Sequence, residues 1–221
     1  MYLTRFAINT ARRGARKLLG SPQAMHAAVM AGFAAPPTGG QGPRVLWRVD
    51  HTATARTVLY IASPDQPDLT HLVEQAGWPT TETWDTRAYD DFLKSLQDGQ
   101  QWSFRLTANP TRDGRTRPGT DTRRYGHVTV EQQRQWLISR ASRNGFRITE
   151  TETGEPDLIV HRRETLTFPR KESRVTLRVA TYDGRLEVTD ADLLRQALTR
   201  GIGHAKAYGC GLLTLAPAAR S

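Results

Sequence analysis

The order in which strand and helix patterns follow one another constrains this chain more than any single motif. Its 221 residues read strand, helix, strand, strand, helix, strand, and then broadly the same order again. Tyr2–Ile8 is an aromatic and aliphatic strand that opens the first run. Ser21–Phe33 follows as a helix, with Ser21 as N-cap and Pro22 at the first helical position, where its missing N–H does no harm. Met25, Ala28, Val29, Gly32 and Phe33 fall on one apolar face of it, and His26 sits at the edge of that face with Gln23 one turn below. Arg44–Val49 and Arg56–Ala62 form a hairpin. Asp68 caps a helix through Leu69, Leu72, Val73 and Ala76 that Gly77 closes, and Thr81–Tyr89 supplies a fourth strand. This is the β-α-β-β-α-β order of a ferredoxin-like unit.

A brief helical linker, Asp91–Leu96, is broken by Asp98-Gly99. In Trp102–Ala108 apolar and polar residues alternate with the period of a half-buried strand. Residues 109–127 read as a loop carrying five arginines. Thr129 and Gln132 make a capping box for a helix to about Arg143, which Asn144-Gly145 stops. Strands are expected at Phe146–Glu150, Leu158–Phe168, Arg174–Tyr182 and Arg185–Val188, with Asp183-Gly184 as a two-residue hairpin turn. That is one strand more than a ferredoxin-like unit needs, so an inserted or extended hairpin is expected around residues 158–180. Asp190 caps a last helix whose stripe is Leu193, Leu194, Ala197 and Leu198, and Cys210–Leu215 closes the chain. The expected architecture is α+β: two tandem ferredoxin-like domains, residues 1–90 and 101–221 around a linker at 91–100, with an added basic β-hairpin in the second.

Charge narrows the function. Lys and Arg total 31 against 22 Asp and Glu, a formal +9 that favours a polyanionic partner, nucleic acid before an acidic membrane surface. Only Lys17, Lys94, Lys171 and Lys206 are lysines, and the guanidinium fork of the arginines matches phosphate geometry. Cys210 stands alone, which leaves no internal disulfide and no thiolate cluster. The six histidines show neither H-x₃-H nor HExxH spacing, so chemistry without a metal or cofactor is the default. No apolar run is long enough to cross a membrane and no signal-peptide core opens the chain; the expected compartment is the cytoplasm. An arginine-rich start with no acidic residue before Asp50 is also the composition of an organellar transit peptide, but MYLTRFAI reads as a strand.

Three segments can carry chemistry. His26 lies at a buried-to-exposed boundary beside the cations Arg12, Arg13, Arg16 and Lys17, where an imidazole can titrate near neutrality while facing a phosphate; an ordinary boundary histidine is the competing reading. Between the last helix and last strand, Gly201, Gly203, Gly209 and Gly211 surround His204, Lys206 and Tyr208. Glycines there let main-chain N–H groups approach a phosphate, or else serve as a helix cap and a bulged strand. Finally, Arg162, Arg163, Arg170 and Lys171 line a hairpin that fits a nucleic-acid groove, or keeps a sheet edge solvated. The aromatic K/R-G-F/Y-G/A-F-V-x-F/Y run of RNA-recognition domains is absent, which turns the expectation toward shape and backbone recognition.

The MYLTRFAIN strand, the Ser-Pro-x-x-Met-His helix, the Trp102-x-Phe104-Arg105-Leu106-x-Ala108-Asn109-Pro110 strand and the terminal GIGHAKAYGCGLLTLAP segment together resemble one family across essentially the whole chain: the type I-E CRISPR RNA endonuclease, CasE or Cse3, of the RAMP superfamily. The resemblance implies metal-independent cleavage of precursor CRISPR RNA at the base of each repeat's stem-loop, by 2′-OH attack that leaves a 2′,3′-cyclic phosphate and a 5′-OH. It implies retention of the product and assembly, from a protein monomeric when alone, with the other Cascade subunits. The family's catalytic histidine matches His26, its basic hairpin matches the Arg162–Lys171 region as a holder of the RNA stem, and its glycine-rich segment packs near the inter-domain cleft. Some members carry a tyrosine one turn before the histidine. Here that place is Gln23, which hydrogen-bonds a phosphate or a water but transfers no proton. A non-cleaving CRISPR RNA-binding subunit is therefore the alternative.

Overall fold

Strand β1 (Tyr2–Ile8) is the inner strand of a four-stranded antiparallel sheet in the computed structural model, which describes residues 1–35, 42–52, 56–78, 84–114, 123–170 and 173–218. The chain divides into two compact units. The first holds Met1–Ser95 together with Thr199–Gly201 and Lys206–Leu212. The second holds Leu96–Leu198, Ile202–Ala205 and Leu213–Ser221.

In the first unit β1 lies between β3 (Thr57–Ser63) and β4 (Trp84–Ala88), and β2 (Leu46–His51) pairs outside β3. Numbering only these strands, the order is 4-1-3-2, as in a ferredoxin-like unit. Helices α1 (Arg13–Leu19) and α2 (Pro22–Met30) follow β1, and α3 (Thr70–Ala76) follows β3. The periodicity of α2 predicts its packing: Met25 and Val29 are buried in a core with Phe6, Ile8, Trp47, Leu59 and Ile61. Ser21 accepts from the Ala24 amide, a cap worth about 0.5–2 kcal/mol. Asp68 acts one residue earlier than a true cap, accepting from the Thr70 amide and hydroxyl, because Leu69 holds the N-cap position of α3.

Helix α1 is a departure from the sequence reading, which treats residues 11–20 only as a cationic stretch. Ala15 and Leu18 are buried while Arg13, Arg16 and Lys17 stay exposed, so two apolar residues three apart suffice to dock a seven-residue helix. Gly14 makes the docking possible, since a Cβ there would collide with the Gln75 carbonyl of α3.

The second unit repeats the plan with additions. Its sheet runs β11-β5-β10-β8, from β5 (Gln101–Ala108), β8 (Phe146–Ile148), β10 (Ser173–Val188) and β11 (Leu213–Pro217). Helix α4 (Asp90–Ser95) precedes the sheet in the chain; α5 (Val130–Ala141) and α6 (Ala191–Arg200) are its crossovers. The capping box at Thr129 and Gln132 is present, and Gly145 ends the following 3₁₀ turn at φ 78°. Asp190 accepts from the Leu193 amide.

Strand β9 (Leu158–Arg170) pairs with β10 along most of its length, giving the expected extended hairpin. Asp183-Gly184, however, is no turn. Strand β10 passes straight through it, with Asp183 opposite Arg105 and Gly184 opposite Phe104. Asp183 is held by Nε and Nη2 of Arg105, at 2.6 and 2.5 Å, and by His161 at 3.0 Å. Gly184 is needed because a Cβ would meet the Asp157 carbonyl. The two strands expected at Arg174–Tyr182 and Arg185–Val188 are thus one. Two more corrections follow: the final strand starts at Leu213 rather than Cys210, and the ends of the 109–127 loop pair as a ribbon of β6 (Thr111–Gly114) and β7 (Arg123–Gly126). Residues 115–122 lie outside the described set.

Candidate functional site

His26 occupies the second turn of α2, half-buried, on the side of the helix facing β2. Strand β2 carries Trp47 toward the helices and Arg48 toward the opposite face of the sheet, because successive side chains alternate. The Trp47 indole Nε1–H donates to Nδ1 of His26 at 3.4 Å. Burial pushes the imidazole below its usual 6.5, which favours the neutral form.

The glycine-rich segment contributes to this same unit. The 3₁₀ turn Lys206–Tyr208 packs against α2 and β2. Next to it, Gly209 (φ 80°) lies on the Trp47 ring, where a Cβ would sit 2.8 Å from Cζ3. Gly201 is confined by Leu46, the Gly211 carbonyl and the Lys206 side chain. Burial first, and then the charge of Arg44, lower the Lys206 ammonium from its usual value. Cys210, fully buried, has its thiol pushed up to about 12 and is no nucleophile at neutral pH. Gly209→Ala combines a left-handed backbone with a ring collision, and is expected to cost about 1–3 kcal/mol. Urea denaturation measures it; an unchanged midpoint would show that the ring moves aside freely.

Arg48 anchors the end of the segment. Its Nε and Nη2 bond the Asp50 carboxylate at 2.7 and 2.9 Å, and Nη1 bonds the Leu212 carbonyl at 2.9 Å. Both side chains are buried, at 2% and 8% exposure. Sequence reasoning passes over this pair and over Trp47. The signal for the pair is an Arg-x-Asp within a strand, which places both residues on one face.

The expected basic residues divide by role. Arg12 donates to the Val73 and Gly77 carbonyls, at 2.9 and 3.3 Å, and so caps the C-terminus of α3. Arg16 bonds the Ala11 carbonyl at 2.7 Å, while Arg13 and Lys17 project from the exposed side of α1. Gln23 is half-buried one turn before His26. In the second unit Gly203 abuts Trp136, and His204 forms a β-bridge with Asn109. Arg162 and Arg163 both oppose Ala180 where the β9–β10 register shifts, with Arg162 at φ 46°. A bulge of this kind re-aims side chains. Arg163 turns to Gln133 Oε1, at 2.9 Å, and to the Val128 carbonyl, whereas Arg162 lies 3.9 Å from Glu164. Arg170 ends β9, and Lys171 lies outside the described residues. No group of three or more His, Cys, Asp or Glu among the described residues is arranged to hold a metal ion, and no described helix is long and apolar enough to cross a membrane.

Known proteins share this whole framework. The CRISPR-associated endoribonuclease Cse3 of Thermus thermophilus is 29% identical over 226 aligned residues, covering 98% of this chain and 100% of the relative. A structure of CRISPR endoribonuclease Cse3 bound to a 19-nucleotide RNA superposes with a TM-score of 0.82 at 29% identity, again over 98% and 100% of the two chains. Thermus thermophilus Cse3 bound to an RNA representing a pre-cleavage complex gives 0.77 at 28% identity, over 98% of each chain. A family model described as CRISPR associated protein matches residues 1–217, and the chain belongs to that family.

Proposed function

We propose that this protein is a metal-independent endoribonuclease that cleaves precursor CRISPR RNA within each repeat, at the base of the repeat's stem-loop, and keeps the product as a subunit of a Cascade surveillance complex. The observation that carries the reading is the setting of His26: a neutral, half-buried imidazole, oriented by Trp47, on a helix packed against the lysine-bearing turn of the glycine-rich segment. Similarity along nearly the whole chain to Cse3 proteins bound to RNA supports the substrate class.

The chemistry is an internal phosphoryl transfer. The ribose 2′-oxygen forms a bond to the adjacent phosphorus as the bond to the 5′-oxygen breaks; the 2′-proton passes to water and the departing oxygen takes one from water. The products are a 2′,3′-cyclic phosphate and a 5′-OH. His26 presents a ring N–H to this phosphate, and Lys206 neutralises charge that develops on it. Gln23 hydrogen-bonds without transferring a proton. Exposed cations of α1, namely Arg13 and Lys17, attract the RNA backbone. Arg162 and Arg170, with Lys171 beyond the described residues, grip the stem from the β9–β10 hairpin.

A repeat RNA with a single 2′-deoxy substitution at the scissile nucleotide tests the scheme. The ribose form is cut, in EDTA as well as in magnesium, and the deoxy form binds equally but stays intact. Cleavage that stops on chelation and returns with magnesium would overturn the metal-free scheme. Tight binding of both forms with cleavage of neither would instead identify a non-cleaving RNA-binding subunit, the role that Gln23 in place of a tyrosine favours.

A further inference from the structure

We infer that Trp47 is a positioning residue that locks His26 in its Nε2–H tautomer, so that the imidazole offers a hydrogen-bond donor, not a lone pair, to whatever occupies the site. The inference rests on the proposed catalytic role of His26 for its effect on rate, but not for its effect on the tautomer.

The argument starts from the indole. Trp47 is 4% exposed and its ring belongs to the core that α2 covers. Gly209 lies against the six-membered ring, where a Cβ would stand 2.8, 3.0 and 3.3 Å from three of its carbons. Held by the core and by that backbone, the ring cannot swing, and the direction of Nε1–H is fixed. An indole nitrogen donates and never accepts. A buried donor left without an acceptor costs about 1–3 kcal/mol, so the Nδ1 lone pair of His26 satisfies Trp47 as much as Trp47 orients His26.

A neutral imidazole has one N–H and one lone pair. With Nδ1 accepting, the proton resides on Nε2. Protonation to imidazolium would set one N–H against another, so Trp47 acts on His26 in the same direction as its burial. A strand residue remote from the helix in sequence, covered by a glycine near the chain's far end, thereby decides which proton the site presents. Gly209 then has a role besides phosphate approach: it leaves room for the indole to lie where its donor reaches Nδ1.

The test uses the full chain with ¹⁵N-labelled histidine, first without RNA. Long-range proton–nitrogen correlations of the His26 ring are expected to show Nδ1 as the unprotonated nitrogen and Nε2 as the protonated one in the wild type. Trp47→Phe keeps an aromatic ring under Gly209 and deletes the donor; a mixture of tautomers is expected. With RNA, the variant's single-turnover cleavage falls up to about tenfold while RNA affinity holds, the loss of one hydrogen bond appearing in the chemical step. A wild-type His26 protonated on Nδ1 would overturn the inference without any variant having to fold. So would a folded Trp47→Phe protein with the tautomer unchanged. If His26→Ala cleaved at the wild-type rate, the catalytic reading would fall, and the tautomer measurement would still judge Trp47 by itself.

Discussion

His26→Ala is expected to slow single-turnover cleavage of a repeat RNA by about 10²–10³-fold, the span of one lost hydrogen-bond donor to transition-state charge. Affinity for the uncleaved RNA should change little, because the charges proposed to attract the phosphate backbone lie on other residues: Arg13 and Lys17 on α1, Lys206 on the 3₁₀ turn and Arg162 on β9. Stability should also hold, since His26 is half-buried at the edge of the apolar face and its ring fills no closed part of the core. The substitution leaves the Trp47 donor without its acceptor, a cost of about 1–3 kcal/mol at most, which water entering the vacated space offsets. Rapid-quench cleavage and filter binding on the same RNA measure the two quantities separately. Cleavage at the wild-type rate would remove His26 from the chemistry.

The largest loss of stability is expected from Asp50→Ala. Arg48 and Asp50 form a two-pronged ion pair within β2 at 2.7 and 2.9 Å, and Arg48 is almost wholly buried. Removing the carboxylate strands a guanidinium that cannot shed its charge, and breaking one partner of such a pair costs about 3–5 kcal/mol. Replacing both, as Arg48→Met with Asp50→Leu, avoids the uncompensated charge and should recover most of that loss. It also removes the bond to the Leu212 carbonyl, so the double variant should show the residues after Gly209 exchanging amide hydrogens faster than in the wild type. Guanidinium or urea titration provides the stabilities. A loss below about 1 kcal/mol in Asp50→Ala would mean that water reaches Arg48 and that the pair is not buried in solution.

Much of the scaffold is legible before any coordinates, for reasons visible in particular residues. Local chemistry specifies α2: a serine cap, a proline at the first position and an apolar face at helical spacing all agree, so the edge position of His26 follows. The same holds at α5, where Thr129 and Gln132 satisfy each other's neighbouring amides. What the sequence hides is set by partners distant along the chain. Asp183-Gly184 has the composition of a hairpin turn, yet Arg105 and His161 on neighbouring strands and the Asp157 carbonyl just before β9 make extended backbone the better state. Helix α1 is short enough that its docking depends on Gln75 and Val73 of α3 rather than on its own periodicity. Trp47 reads as one more buried strand residue until the fold brings Gly209 and His26 to its two sides.

The site residues follow the same division. His26 and the glycines at 201, 209 and 211 were marked by residue type and by resemblance, and they lie in one unit, whereas Gly203 lies in the other. Charge marks Arg12, and charge together with the resemblance marks Arg163. Their guanidiniums satisfy a helix C-terminus and a helix N-terminal segment, which charge counting cannot foresee.

The return of Lys206–Leu212 to the first unit sets an order on synthesis. The first 95 residues leave the ribosome lacking the backbone that covers Trp47 and the carbonyl that Arg48 binds. At about 5–20 residues per second, the missing strip follows on the order of ten seconds later. Until then the nascent unit carries a bare indole and a half-satisfied arginine, so the helix that bears His26 gains its final support only when residues 206–212 have emerged. A transcript cut short before Lys206 would yield a protein with His26 beside Trp47 but with no backbone covering that indole.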